Sequence, residues 1–143
     1  MKKALRLSLL SVVLIAISGI LTIKAVQAGW LTEKEPLDFS GAPVLLLFNR
    51  YKGCECEMAV YTAAEAQINA WTVENNNTVP IIRIDLDQRP DLKKQYGIVR
   101  APALFLVDGV GSVIAGQKES LSDNAPFDLE LFDKAIKEIK NGS

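Results

Sequence analysis

At 143 residues, 49% hydrophobic and 23% charged, the chain has the composition of a small globular protein, which excludes disorder and fibrous repeats. With Lys2, Lys3, Arg6 and Lys24 set aside, 12 of the 16 basic residues remain against 17 acidic ones, a net of −5 that argues against nucleic-acid wrapping. Histidine is absent, which removes Ser-His-Asp and Cys-His catalysis, histidine metal sites and histidine pH switches, and leaves Cys54 and Cys56 as the two cysteines.

Lys2, Lys3 and Arg6 precede an uncharged run from Leu7 to Ile23, closed by Lys24. Residues 1–28 read as a signal peptide or transmembrane anchor, with Val26-Gln27-Ala28 a candidate cleavage site. The length of the run favours a retained anchor, entering the membrane through residues 5–23, over a cleaved signal. The charge asymmetry keeps the N-terminus in the cytoplasm and places the rest on the extracytoplasmic side, where cysteines can pair. Residues 29–42 are polar and read as a linker, and 43–143 as the folded domain.

Val44-Leu45-Leu46-Leu47-Phe48 is the continuous apolar run of a strand buried on both faces. A helix is predicted from Cys56 to about Glu74, with Met58, Ala59, Ala63, Ala66 and Ala70 along one face and Asn75-Asn76-Asn77 ending it. Val79 to Asp85 reads as a strand, and Pro90 to Tyr96 as a short helix stopped by Gly97. Ala103–Val107 and Ser112–Ala115 are strands joined by the turn residues Asp108-Gly109-Val110-Gly111. Phe127, Leu131, Phe132, Ala135, Ile136 and Ile139 recur at helical spacing, with Lys134, Lys137 and Lys140 towards the end. This order describes a three-layer α/β domain, a central mixed sheet flanked by helices.

Two segments resemble the thioredoxin family. One is Phe48-Asn49-Arg50-Tyr51-Lys52-Gly53-Cys54-Glu55-Cys56-Glu57-Met58, a strand end running into a cysteine-bearing helix start. The other comprises Ile84-Asp85-Leu86-Asp87, Pro90-Asp91-Leu92, Tyr96-Gly97-Ile98, Arg100-Ala101-Pro102-Ala103-Leu104 and Asp108-Gly109. The resemblance covers about residues 43–140 and implies a thioredoxin-like fold whose usual first strand and helix are reduced. It implies that Pro102 is a cis-proline facing the cysteines, and that Tyr51, Lys52, Arg100 and Ala101 border a groove where an extended substrate pairs. The site departs from the family's Cys-x-x-Cys. Cys56 takes the resolving position, Cys54 serves as nucleophile if one residue is deleted, and Leu47 stands where many members bury an acid.

Positions i and i+2 of a helix point to nearly opposite sides, so the sulfurs converge only if Cys54 precedes the helix and Cys56 opens it. Gly53 is read as giving that turn its freedom. The helix N-terminus and Lys52 favour a thiolate, while Glu55 and Glu57 oppose it. The expected chemistry is a Cys54–Cys56 dithiol-disulfide pair exchanging with disulfides of exported proteins, with no organic cofactor and with electrons from a redox partner that the sequence does not identify. Two alternatives remain: a Cu(I) thiolate site on Cys54 and Cys56, and a redox-inactive binding module. No nucleic-acid partner is expected, and a monomer is. Trp71 reads as a packing residue, Asp85 and Asp87 as solvent-facing or capping groups.

Overall fold

The computed structural model describes residues 15, 17–20, 35–39, 41–74 and 79–141. Backbone contacts divide the chain into Met1–Leu37 and Asp38–Ser143. In the first unit, residues 17–20 are helical. Most of the leader, and the Asn75–Asn77 helix stop, lie outside the described residues, so the expected N-terminal apolar helix is not shown. Among the described residues no helix is long and apolar enough to cross a membrane.

The second unit is built from β1 (Val44–Asn49), α1 (Glu55–Glu74), β2 (Ile81–Asp85), α2 (Pro90–Gln95), β3 (Ala103–Val107), β4 (Val113–Gln117) and α3 (Leu129–Asn141). The strands lie in the order β2-β1-β3-β4. β1 runs parallel to β2, with Phe48 opposite Ile84, and antiparallel to β3, with Phe48 opposite Ala103. β3 and β4 are antiparallel, with an irregularity at Leu106/Val107. This mixed sheet with its helices fits the thioredoxin-like α/β arrangement expected from the sequence. β4 begins one residue later than expected and runs two further, to Gln117.

β1 is buried along its whole length, as its unbroken apolar run requires. On one face Leu45 and Leu47 pack with Leu104 and Leu106 against Ala64, Ile68 and Trp71 of α1 and Phe132, Ala135 and Ile136 of α3. Phe48, Tyr96 and Phe105 form an aromatic cluster with centroids 5.1–5.6 Å apart. The Tyr96 hydroxyl goes with it into the interior, and burial raises its pKa.

The inner face of α1 is Tyr61, Ala64, Ile68 and Trp71, not the expected alanine stripe. Ala59, Ala66 and Ala70 are exposed, while Met58 and Ala63 are half-buried. Alanine offers little area to bury, so the large side chains at i, i+7 and i+10 decide which face turns inward. Trp71 packs as expected, and its indole N–H donates to Asp133 Oδ1 on α3 at 3.0 Å. Gln67 bonds both the N–H and the carbonyl of Phe127, at 2.9 and 2.8 Å. Phe127 is therefore buried just before α3 rather than inside it.

Two chain reversals fix opposite ends of the sheet, the first at the cysteine end and the second at the far end, beside Val44. α2 closes with Gly97 at φ 60°, the Gly97 N–H on the Lys94 carbonyl and the Ile98 N–H on the Lys93 carbonyl. That pairing satisfies the last carbonyls of the helix and directs the chain towards Pro102. At the β3–β4 turn, Asp108 Oδ1 accepts from the Val110 and Ser112 amides at 3.0 and 2.8 Å.

Candidate active site

Both cysteines lie where β1 hands over to α1. Asn49 ends β1 and is 1% exposed, the buried polar residue of the described core. Its side-chain amide donates to the Tyr61 carbonyl at 3.1 Å, and its Oδ1 accepts the Arg50 N–H at 3.0 Å. Its own carbonyl accepts the Leu86 N–H at 3.0 Å. One residue thereby ties the loop of residues 50–54 to α1 and to the end of β2. An asparagine closing a pure apolar run is the sequence signal for this anchor.

Cys54 is the N-cap of α1: its carbonyl accepts the Met58 N–H at 3.0 Å. Its N–H donates to Glu57 Oε2 at 3.2 Å, the reciprocal half of a capping box. Glu57 thus caps the helix as well as placing a negative charge beside the thiols. Gly53 does not supply the backbone freedom expected of it. Gly53 is not left-handed; a Cβ there would stand 2.6 Å from Glu57 Oε2, so glycine leaves room for the capping carboxylate.

Cys54 before the helix and Cys56 in its first turn is the expected placement, and both side chains are exposed. Both are free thiols in this structure, one of the two forms that the expected dithiol-disulfide pair would take. The two meet. A hydrogen bond with Cys54 is the main cause that raises the Cys56 pKa above the ordinary thiol value, and desolvation and the Cys54 charge add to it. The backbone amides of Glu57 and Cys56 pull the other way.

A folded pKa above the unfolded one contributes stability that is present below the unfolded pKa and lost as pH rises through the folded value. Cys54→Ala removes the main cause of the shift. Cys56 alkylation by iodoacetamide should then reach half its limiting rate at lower pH than in the wild type, and an unchanged midpoint would disprove the coupling.

The Ala101-Pro102 bond is cis, as the family resemblance implies, and the Pro102 side chain is fully buried. Arg100 and Ala101 border a groove of about 330 Å³ whose opposite wall includes Glu57 and Tyr61. The cis-proline loop therefore faces the first turns of α1. Arg100 is exposed there, while Ala101 is 7% exposed, so its side chain packs into the groove wall. Tyr51 and Lys52 do not line this groove. The Tyr51 hydroxyl donates to Glu65 Oε1 at 3.2 Å, and burial, with Glu65 adding, raises its pKa. Glu65 in turn pairs with Arg83 at 2.8 Å.

Asp87 is not merely solvent-facing. It accepts from Arg50 Nε at 2.8 Å, and this pairing raises the arginine's pKa. Asp85 does act as a local cap, its Oδ1 accepting the Asp87 N–H at 2.9 Å. Among the described residues no cluster of three or more Cys, Asp, Glu or His side chains is arranged to hold a metal.

No protein-family model and no curated sequence matches the chain. Solved structures do. Thioredoxin-2 from the malaria parasite, described as a component of its protein secretion machinery, is 17% identical, with 65% of this chain and 82% of that one covered at a TM-score of 0.47. The germline-specific thioredoxin Deadhead of Drosophila melanogaster is 13% identical, over 71% of this chain and 84% of that one, also at 0.47. These structural neighbours are thioredoxins. A structure described as a malarial protein gives 13% identity, 68% and 96% coverage and the same TM-score.

Proposed function

We propose that the chain is a thiol–disulfide oxidoreductase that acts on exported proteins through Cys54 and Cys56. The observation that carries this reading is the placement of two exposed thiols at the N-terminus of α1, Cys54 as its N-cap and Cys56 in its first turn. A structural staple normally closes a long loop; a bridge across one residue closes almost none and would stabilise little. Such a pair is better suited to reaction than to support.

In the reductive direction the Cys54 thiolate attacks one sulfur of a substrate disulfide, forming a mixed disulfide and releasing one substrate thiolate, which takes up a proton. The Cys56 thiol then loses its proton and attacks the Cys54 sulfur. The Cys54–Cys56 disulfide forms, the second substrate thiolate leaves, and two electrons have passed to the substrate. A dithiol partner, most simply a redox protein in the membrane, returns the pair to its reduced form. Run backwards, the same steps oxidise a substrate dithiol. No organic cofactor is needed. The extracytoplasmic assignment is supported by the basic cluster ahead of the apolar run Leu7–Ile23.

The test is the reduction potential of the pair, from glutathione redox buffers with free thiols counted by mass after alkylation. A reversible two-electron transition between about −270 and −120 mV, the thioredoxin and strong-oxidant limits, is the expected result. A pair that never closes an intramolecular disulfide would end this reading.

A further inference from the structure

The groove beside the thiols carries more positive charge than its own carboxylates occupy. It is lined by Arg50, Lys93 and Arg100 together with Glu57 and Asp87. Both carboxylates are engaged: Asp87 by Arg50 at 2.8 Å, and Glu57 by the Cys54 N–H at 3.2 Å. Lys93 and Arg100 are exposed, and among the described residues neither forms an ion pair. Lys94 shares the last turn of α2 but does not line the groove, so support of the helix end does not account for where Lys93 stands. Arg100 comes from a different segment, on the cis-proline loop.

We propose that this groove binds an acidic peptide segment beside the reacting cysteine of the substrate, with Lys93 and Arg100 receiving its carboxylates. This rests on the oxidoreductase reading, since it assigns that site its substrate class. Glu57 lines the groove and caps Cys54, so an occupant lies next to the first turn of α1. Arginine receives a carboxylate in a bidentate fork, and lysine adds a point charge. Two exposed cations contribute modest affinity, but they decide between acidic and basic partners and raise the encounter rate.

The full-length protein is titrated with dye-labelled, cysteine-free peptides, one glutamate-rich and one lysine-rich, and binding is read by anisotropy. The glutamate-rich peptide is expected to bind about fivefold tighter at low ionic strength, the difference shrinking as salt screens it. In Lys93→Glu/Arg100→Glu the order is expected to reverse, a result that a misfolded protein does not produce. Equal binding of both peptides by the wild type, or a preference that survives the double substitution, would overturn the proposal. Turnover of the uncharged disulfide bis(2-hydroxyethyl) disulfide by the wild-type protein is measured alongside. Turnover without a charge preference removes the groove assignment alone. A charge preference without turnover supports the groove as an acidic-peptide site and removes the redox reading.

Discussion

Cys54→Ser is expected to lower disulfide exchange by on the order of 10³-fold, to the uncatalysed background, because a serine hydroxyl is not activated here and forms no mixed disulfide. Cys56→Ser should fail one step later, and differently. Cys54 still attacks, no second sulfur follows, and substrate accumulates as a covalent adduct visible by mass and released by reductant. The asymmetry follows from the geometry. Cys54 caps the helix at the exposed loop, whereas Cys56 sits inside the first turn, and contact with Cys54 raises its pKa. A thiol that holds its proton more tightly is the poorer first attacker near neutral pH and suits the second step. An adduct on Cys56 in Cys54→Ser, or undiminished turnover in that variant, would reverse the assignment.

What the sequence made legible has a physical pattern. The strand Val44–Asn49 could be read because burial on both faces demands an unbroken apolar run, a signal carried by neighbouring residues. Gly97 could be read because a short helix followed by a left-handed residue has few alternatives. Pro102 was placed by the family resemblance, which several separate motifs carry together. The inner face of α1 was not legible, since alanines at many positions blur the contrast between its faces and only packing showed that Tyr61, Ala64, Ile68 and Trp71 turn inward.

The groove was legible only in pieces. Arg100 and Ala101 were marked by their place before the cis-proline, but Arg50 and Asp87 stand 37 residues apart, and Lys93 comes from a third segment. No local pattern joins them; the parallel pairing of β1 with β2 does, by setting Asn49 opposite Asp85. The capping carboxylate of Glu57 was hidden for another reason. Its charge beside the cysteines was visible in sequence, but its hydrogen bond to the Cys54 N–H requires that the helix start at residue 55.

Phe48→Ala is expected to cost about 3–5 kcal/mol, the usual range for emptying a buried phenylalanine site. Phe48 is 0% exposed in the central strand, and its ring lies 5.1 Å from Tyr96 and 5.6 Å from Phe105. Those neighbours are Tyr96, fixed at the end of α2, and Phe105, fixed on β3 where it pairs with β1, so the site has little freedom to collapse. Against a typical total of about 5–15 kcal/mol, the loss would shift the urea midpoint far to the left at nearly constant slope. Leu131→Ala on α3, where the side chain is 42% exposed, supplies the contrast and should change stability by about 0.5 kcal/mol or less. A loss below about 1 kcal/mol in Phe48→Ala would mean that the aromatic cluster of Phe48, Tyr96 and Phe105 does not pack as a core of the domain. The consequence reaches the thiols. Phe48 precedes Asn49, whose side chain ties the cysteine loop to Tyr61. In Phe48→Ala that anchor should loosen before the protein unfolds, and the raised pH midpoint of Cys56 alkylation should fall towards that of an ordinary thiol at urea concentrations where the far-ultraviolet signal is still native.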